Sequence, residues 1–314
     1  MDKITRRQFV IRGSSAALGA AVGVKHLSAA EKKPEEKSRV VLVRSEDALD
    51  ANARPSSEVV HKMLDTALVR FSGETTPKAA WSKYIKSSDV VGVKMNVMVN
   101  ATHPEVVRAI ITRLLDVGVE DRNIITWDRN NAGIGMKGVE VRNRHFGYDS
   151  KTHISKIVTE KCTAFINVPG IKAHWVAGIA VALKNWVGAV RGLQLSDKGV
   201  TYAIHADSCA ECCKFNAMSV IRDKCRLVIV DALRPLCHVG PQLNPRYLWP
   251  YKGLLVSTDP VAVDVVSAQI IQEQRDKLNL GPIRPPAKHV PLADTKYHLG
   301  NSDRDKIELL RISV

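Results

Sequence analysis

No internal repeat and no low-complexity tract interrupts the 314 residues, which excludes solenoids, fibrous arrays and a chain dominated by disorder. Nor is there an apolar run of the roughly 20 residues that a membrane-spanning helix needs, so no permanent span is expected. Cysteine is scarce, six residues in all. Their spacing fits none of the common ferredoxin or zinc patterns, so those site types lack support from a motif. Acidic residues are also short, 32 against 46 Lys and Arg, for a formal charge of +14. What remains is ordinary: 45% hydrophobic and 25% charged residues describe a soluble globular chain. The length suits one large α/β domain or two smaller ones.

The amino terminus stands apart. Thr5-Arg6-Arg7-Gln8-Phe9-Val10-Ile11 pairs two arginines with apolar residues, Ser14 to Val24 is weakly hydrophobic and rich in Ala and Gly, and Ser28-Ala29-Ala30 offers a small-residue cleavage site. Residues 1–30 resemble a twin-arginine signal peptide. The resemblance implies the twin-arginine translocase as a partner, a periplasmic location, and folding, often around a cofactor, before export. Without residues 1–30 the chain has 41 basic and 31 acidic residues, a net charge of +10. Outside the cytoplasm such a charge argues against nucleic acid and leaves a small anionic ligand, anionic lipid or an acidic protein. Solubility alone accounts for it equally well. Residues 31–38, charged and holding one proline, form a linker.

From residue 39 onward short apolar runs alternate with helical spacing. Strands are expected at Arg39–Arg44, Val90–Asn96, Asn123–Asp128, Ala164–Val168, Arg226–Asp231, Leu254–Ser257 and Ile307–Ile312. Helices are expected at Ser56–Phe71, after the capping box Thr102-His103-Pro104-Glu105, from Trp175 to Val190, and after Thr258-Asp259-Pro260. Residues 281–292, with four prolines, read as a loop packed over the body. Strand, helix and strand at short spacing give a single α/β domain over residues 39–314, a mostly parallel sheet with helices on both faces.

In such a sheet, ligands collect beyond the carboxyl ends of the strands. The residues there are Lys94 and Asn96, Asp128, Lys172 and His174, Asp231, then Ser257 and Asp259. Lysines hold anions, histidine exchanges protons, and carboxylates orient either or bind a metal. Strand-end loops are polar in any protein, and Asp259 before Pro260 also reads as a helix N-cap. Lys184 is the one ionisable side chain in the apolar stretch Trp175–Val190. It reads either as a member of the same site or as a cation answering the helix dipole ahead of Gly188. His205 is a further candidate.

Ser208-Cys209-Ala210-Glu211 fits a capping box, which would place Cys209, Cys212 and Cys213 on one face of a helix's first turns and lower their pKa values. They are candidate ligands for a metal or an iron–sulfur cluster, with Cys162, Cys225, Cys237 or His238 as a fourth. Disulfides or a redox dithiol are the competing reading for an exported chain. Gly133-Ile-Gly135-Met-Lys-Gly138 spells a dinucleotide fingerprint, but Arg129 to Ala132 separate it from the strand it should follow, so nucleotide binding is not expected.

Taken in order, Val-Gly-Val-Lys94-Met-Asn96, Asn167-Val-Pro-Gly-Ile-Lys172-Ala-His174, Ala182-Leu-Lys184-Asn185-Trp-Val-Gly188, His205, Val230-Asp231-Ala and Ser257-Thr-Asp259-Pro-Val-Ala-Val-Asp264 resemble the family catalogued as domain of unknown function 362. The resemblance runs from about residue 39 to the end and adds Asn185 and Asp264 to the ligand-binding candidates. Members often carry an appended ferredoxin-type domain with two four-cysteine runs, which this chain lacks. The resemblance therefore implies a fold and a set of residues, not a reaction. The expected function is an exported protein that binds a small anionic ligand, directly or through a divalent metal, as an enzyme or redox accessory factor. An electron-transfer protein using Cys209, Cys212 and Cys213, with or without an iron–sulfur cluster, and a non-catalytic basic binding partner are the alternatives.

Overall fold

A strand covered on both faces reads as an unbroken apolar run. Val40, Val41, Leu42 and Val43 are all at most 1% exposed. Val41 and Val43 enter one core cluster, while Val40 and Leu42 enter another on the opposite face. In the computed structural model this strand, β1 (Ser38–Arg44), lies in one sheet with β2 (Val91–Met95), β3 (Ile124–Trp127), β4 (Ala164–Val168), β5 (Gly170–His174), β6 (Gly178–Ala180), β7 (Cys225–Leu236), β8 (Gly253–Ser257) and β9 (Ile307–Ser313). The order is β3-β2-β4-β7-β8-β1-β9, with β5 beside β7 and β6 beside β5. Five pairings are parallel (β1 with β9, β2 with β3 and β4, β7 with β4 and β5). Three are antiparallel (β1 with β8, β5 with β6, β7 with β8). The structure describes residues 37–129, 131–136, 138–140, 142, 147–150, 152–190, 205–240 and 242–314. Residues 1–30, read as a signal peptide, and residues 31–36 of the expected linker lie outside them, and Ser38, read as linker, belongs to β1.

One face is covered by α1 (Ser57–Ser72), α2 (Pro77–Ser82) and α3 (Pro104–Asp116), which bury Met63, Leu64, Leu68, Trp81, Ile110 and Leu114 against it. α1 has the caps its sequence promises: Ser56 Oγ accepts the Val59 N–H, and Gly73 ends it at φ 76°. The capping box expected at residue 102 does not form. His103 is the N-cap of α3, and the Thr102 hydroxyl instead donates to Val168 O at 2.6 Å. Gly133 and Gly135 lie inside α4 (Asn131–Met136). They are not in a strand-to-helix turn, so the glycine spacing makes no phosphate-cradling loop.

The stretch Trp175–Val190 is not one helix. After β5 the chain turns back as β6, then forms the one-turn α5 (Ala182–Asn185) and a 3₁₀ turn at Trp186–Ala189. Gly178 sits at φ 77°, where a Cβ would stand 2.5 Å from Pro285 O. His174 Nδ1 accepts the N–H groups of Val176 and Ala177, both at 3.1 Å, and so closes the turn. Nearly every residue here is buried whatever its period, so helical spacing carried no information. On the same face α6 (Pro260–Lys277) packs Val263, Val266, Ile270 and Ile271 into the second core. α7 (His289–Thr295) begins within the proline-rich stretch expected to be a loop. No helix among the described residues is long and apolar enough to cross a membrane.

Candidate functional site

Parallel strands β2, β3, β4 and β5 deliver their carboxyl ends to one rim, and polar side chains cross-link it. Lys94, at the end of β2, has no exposed surface. Its ammonium donates to Asp128 Oδ1 at 2.7 Å, Met95 O at 2.8 Å and Asn185 Oδ1 at 3.2 Å, using all three protons. Burial lowers the Lys94 pKa, and the Asp128 charge works against that shift. Asp128 Oδ2 accepts the Val97 N–H at 2.8 Å. A Cβ on Gly188 would lie 2.6 Å from Asp128 Oδ1, so the glycine of the Lys-Asn-x-x-Gly run lets the 3₁₀ turn close over this ion pair. Asn185 Nδ2 donates to Asn167 Oδ1 at 2.7 Å, and Asn167 Nδ2 donates to Ala182 O at 2.9 Å. These amides tie α5 to the strand ends.

Above this layer lies a cavity of ≈ 280 Å³ whose lining includes Asn96, Asp128, Arg129, Lys172, His174, Lys184, Asn185 and His205, with Met98, Val181 and Val187 as apolar wall. Lys172 Nζ donates to Asn96 Oδ1 at 2.7 Å, Val99 O at 2.8 Å and Met98 O at 3.2 Å, so it organises the loop after β2. Lys184 is half-buried on α5 and, among the described residues, its ammonium makes no hydrogen bond or ion pair. The same holds for Arg129 just past β3. His174 is neutral with its proton on Nε2, because Nδ1 accepts two backbone N–H groups. Burial, and then the charges of Lys184, His205 and Lys172, push its pKa down to about 3. His174 thus presents Nε2–H as a hydrogen-bond donor. His205 is exposed, its ring parallel to that of His174 at 6.5 Å.

Three of the expected carboxylates lie outside the cavity. Asp231, 3% exposed, faces His103: its Oδ2 lies 2.7 Å from His103 Nδ1 and accepts the His103 N–H at 2.7 Å. Burial opposes charge on both groups, but their mutual attraction outweighs it, raising the His103 pKa and lowering that of Asp231. Asp259 is the N-cap of α6, accepting the N–H groups of Val261 and Ala262, and it also accepts from the Ser38 hydroxyl and Asn301 N–H. Asp264 is buried inside α6 and accepts the Ala182 N–H at 2.7 Å and the Leu183 N–H at 3.3 Å. It orients α5 from beneath, and Lys184 with it. Burial pushes the Asp264 carboxyl up to about 8. His289, fully buried in α7, lies 3.8 Å from Asp264, and burial followed by the Lys184 charge lowers its pKa to about 3.

The capping box and the lowered thiol pKa values expected around Cys209, Cys212 and Cys213 are not found. Asp207, Ser208 and Cys209 adopt φ values of 46–61°, so no capping box forms at Ser208. Cys209, Cys212 and Cys213 are buried, and burial raises all three thiols, Cys213 to about 11, where a helix start was expected to lower them. All six cysteines are free. Among the described residues no group of three or more His, Cys, Asp or Glu is arranged to hold a metal ion.

Arg129, Asn167 and His103 were not singled out as functional in the sequence. Arg129 could have been read from its place one residue past Asp128 at a strand end. His103 stood in the expected capping box and Asn167 in one of the resemblance motifs, but the sequence named no partner for either, since those partners are 128 and 15 residues away.

Fold and site together define an α/β protein with a cationic cavity at the carboxyl ends of parallel strands. Residues 135–269 match a family model described as Domain of unknown function (DUF362), which supports the family resemblance over that stretch. The match covers β4 to β8 and includes Lys172, His174, Lys184, Asn185, Asp231 and Asp264, whereas Lys94, Asn96, Asp128 and Arg129 precede it. No curated protein matches the chain.

Proposed function

We propose that this is an exported protein that binds a small anionic ligand in the cavity between α5 and the ends of β2 to β5. The observation that carries the reading is Lys184: a half-buried ammonium on the wall of the cavity, without an acceptor among the described residues, held in place by Asp264 beneath its helix. A cation so placed is stabilised by an anion that enters. His174 adds a neutral Nε2–H donor, an arrangement that polarises a carbonyl or holds a carboxylate oxygen without giving up its proton. Lys94 and Asp128 cancel each other's charge and serve as the floor. An enzyme acting on the bound anion and an accessory protein carrying it share this binding step.

Phosphate and short carboxylates serve as probes, with binding followed by calorimetry. Lys184→Met is expected to lose at least about tenfold in affinity, while its unliganded Tm stays within about 2 °C of the parent. Equal affinity in the two proteins sinks the reading, as does a large loss of stability with binding retained.

A further inference from the structure

Among the described residues, the permanently charged side chains that line the cavity can be counted, and the count constrains the ligand. Arg129, Lys172 and Lys184 are positive, the negative charge of Asp128 is neutralised by Lys94 directly behind it, and His174 is neutral. A single negative charge would leave either Arg129 or Lys184 uncompensated in a half-enclosed site, where screening by water is weak. The three cations also differ in what they can touch. Lys172 has committed its three protons to Asn96 Oδ1, Met98 O and Val99 O, so it contributes field and no contact. Among the described residues Lys184 and Arg129 retain their N–H groups: one a point charge, the other a planar fork suited to two oxygens of one carboxylate or phosphate. Met98, Val181 and Val187 offer apolar wall to a carbon body, and ≈ 280 Å³ is at the small end of ligand cavities.

Building on the anion-binding reading above, we infer that the ligand is a compact organic dianion. One anionic group sits on the Arg129 fork, the second charge lies toward Lys184, and His174 Nε2–H donates to an oxygen of the same molecule. The shared chemistry is that of a short dicarboxylate or a small phosphate monoester.

The purified protein is titrated calorimetrically with succinate, butyrate, glycerol 3-phosphate and inorganic phosphate. Succinate or glycerol 3-phosphate is expected to bind at least about tenfold more tightly than butyrate. Whichever leads identifies the carboxylate or phosphate head. Arg129→Gln is expected to bring the leading dianion down at least to the level at which the parent binds butyrate, and a dianion affinity unchanged in this variant also overturns the inference. Butyrate binding as tightly as succinate overturns the inference and leaves the anion site standing. Inorganic phosphate matching the organic dianions overturns the requirement for a carbon body. Binding of none of the four overturns the anion site itself.

Discussion

Lys94 has no water to turn to. Its charge survives in the floor of the cavity because Asp128 lies 2.7 Å away and two oxygen atoms complete its coordination. Breaking a buried pair from one side is costlier than removing both partners, because the remaining charge keeps its desolvation penalty and loses its compensation. Lys94→Met is therefore expected to cost about 3–5 kcal/mol, read from the shift of the urea unfolding midpoint. Lys94→Met combined with Asp128→Asn should recover much of that loss, since the amide still accepts the Val97 N–H. A single variant losing less than about 1 kcal/mol would show that water reaches the pair. Lys94, Lys172 and Lys184 look alike in sequence, each a lysine after an apolar run. Burial and partner count give them three tasks: an ion pair in the floor, an organiser of the loop after β2, and a cation open to the cavity. Those tasks were illegible because each depends on residues that adjoin only in the fold.

At the scale of elements, α5 is one turn long and cannot hold itself; helices this short are unstable in isolation. Its first two N–H groups are taken by Asp264 from α6, and its side chains are tied through Asn185 and Asn167 to two strand ends. The Asp264 pKa, raised from 3.8 to about 8, gives this anchor a pH signature. The folded protein keeps a proton that the unfolded chain releases. Stability tied to Asp264 is therefore fully present below about 3.8 and is lost as pH rises through about 8. His174 and His289, lowered to about 3, act in the opposite sense and cost stability as pH falls below 6.5. Between about pH 4 and 6.5 the two histidines outweigh Asp264, so its decline shows only above them: Asp264→Asn is expected to flatten the fall between about pH 6.5 and 8 and to steepen the acid limb, as measured by urea midpoints from about pH 4 to 8. An unchanged decline in the variant would assign it to other groups. Strand positions were readable because a strand buried on both faces is a short apolar run between turn residues. The hairpin of β5 and β6 was not, since its turn depends on a histidine side chain and on the Pro285 backbone more than a hundred residues away.

Across the whole molecule, the sheet joins the two ends of the described chain. β1 lies between β8 and β9, antiparallel to one and parallel to the other, with seven residues of β1 in register from Ser38↔Ile307 to Arg44↔Ser313. The alternation of strands and helices revealed an α/β sheet but not this order, because ladder pairing is made by backbone groups that carry no sequence label. The consequence concerns folding. The first strand has no partner until β8 has been synthesised and is not paired on both edges until the last strand has, and contacts of such separation form late. A protein built this way suits the proposed export route, which carries chains already folded. Removing Ile307–Val314 would strip one edge of β1 and take away Leu310 and Ile312 from one core and Ile307 and Leu309 from the other. Two variants then separate folding from targeting. The truncated chain is expected to be protease-sensitive and to remain in the cytoplasm with its signal intact. The Arg6→Lys, Arg7→Lys double variant should remain in the cytoplasm while resisting protease as the parent does. Cell fractionation with limited proteolysis measures both, and a truncated chain recovered folded in the periplasm would refute the requirement for closing the sheet before export.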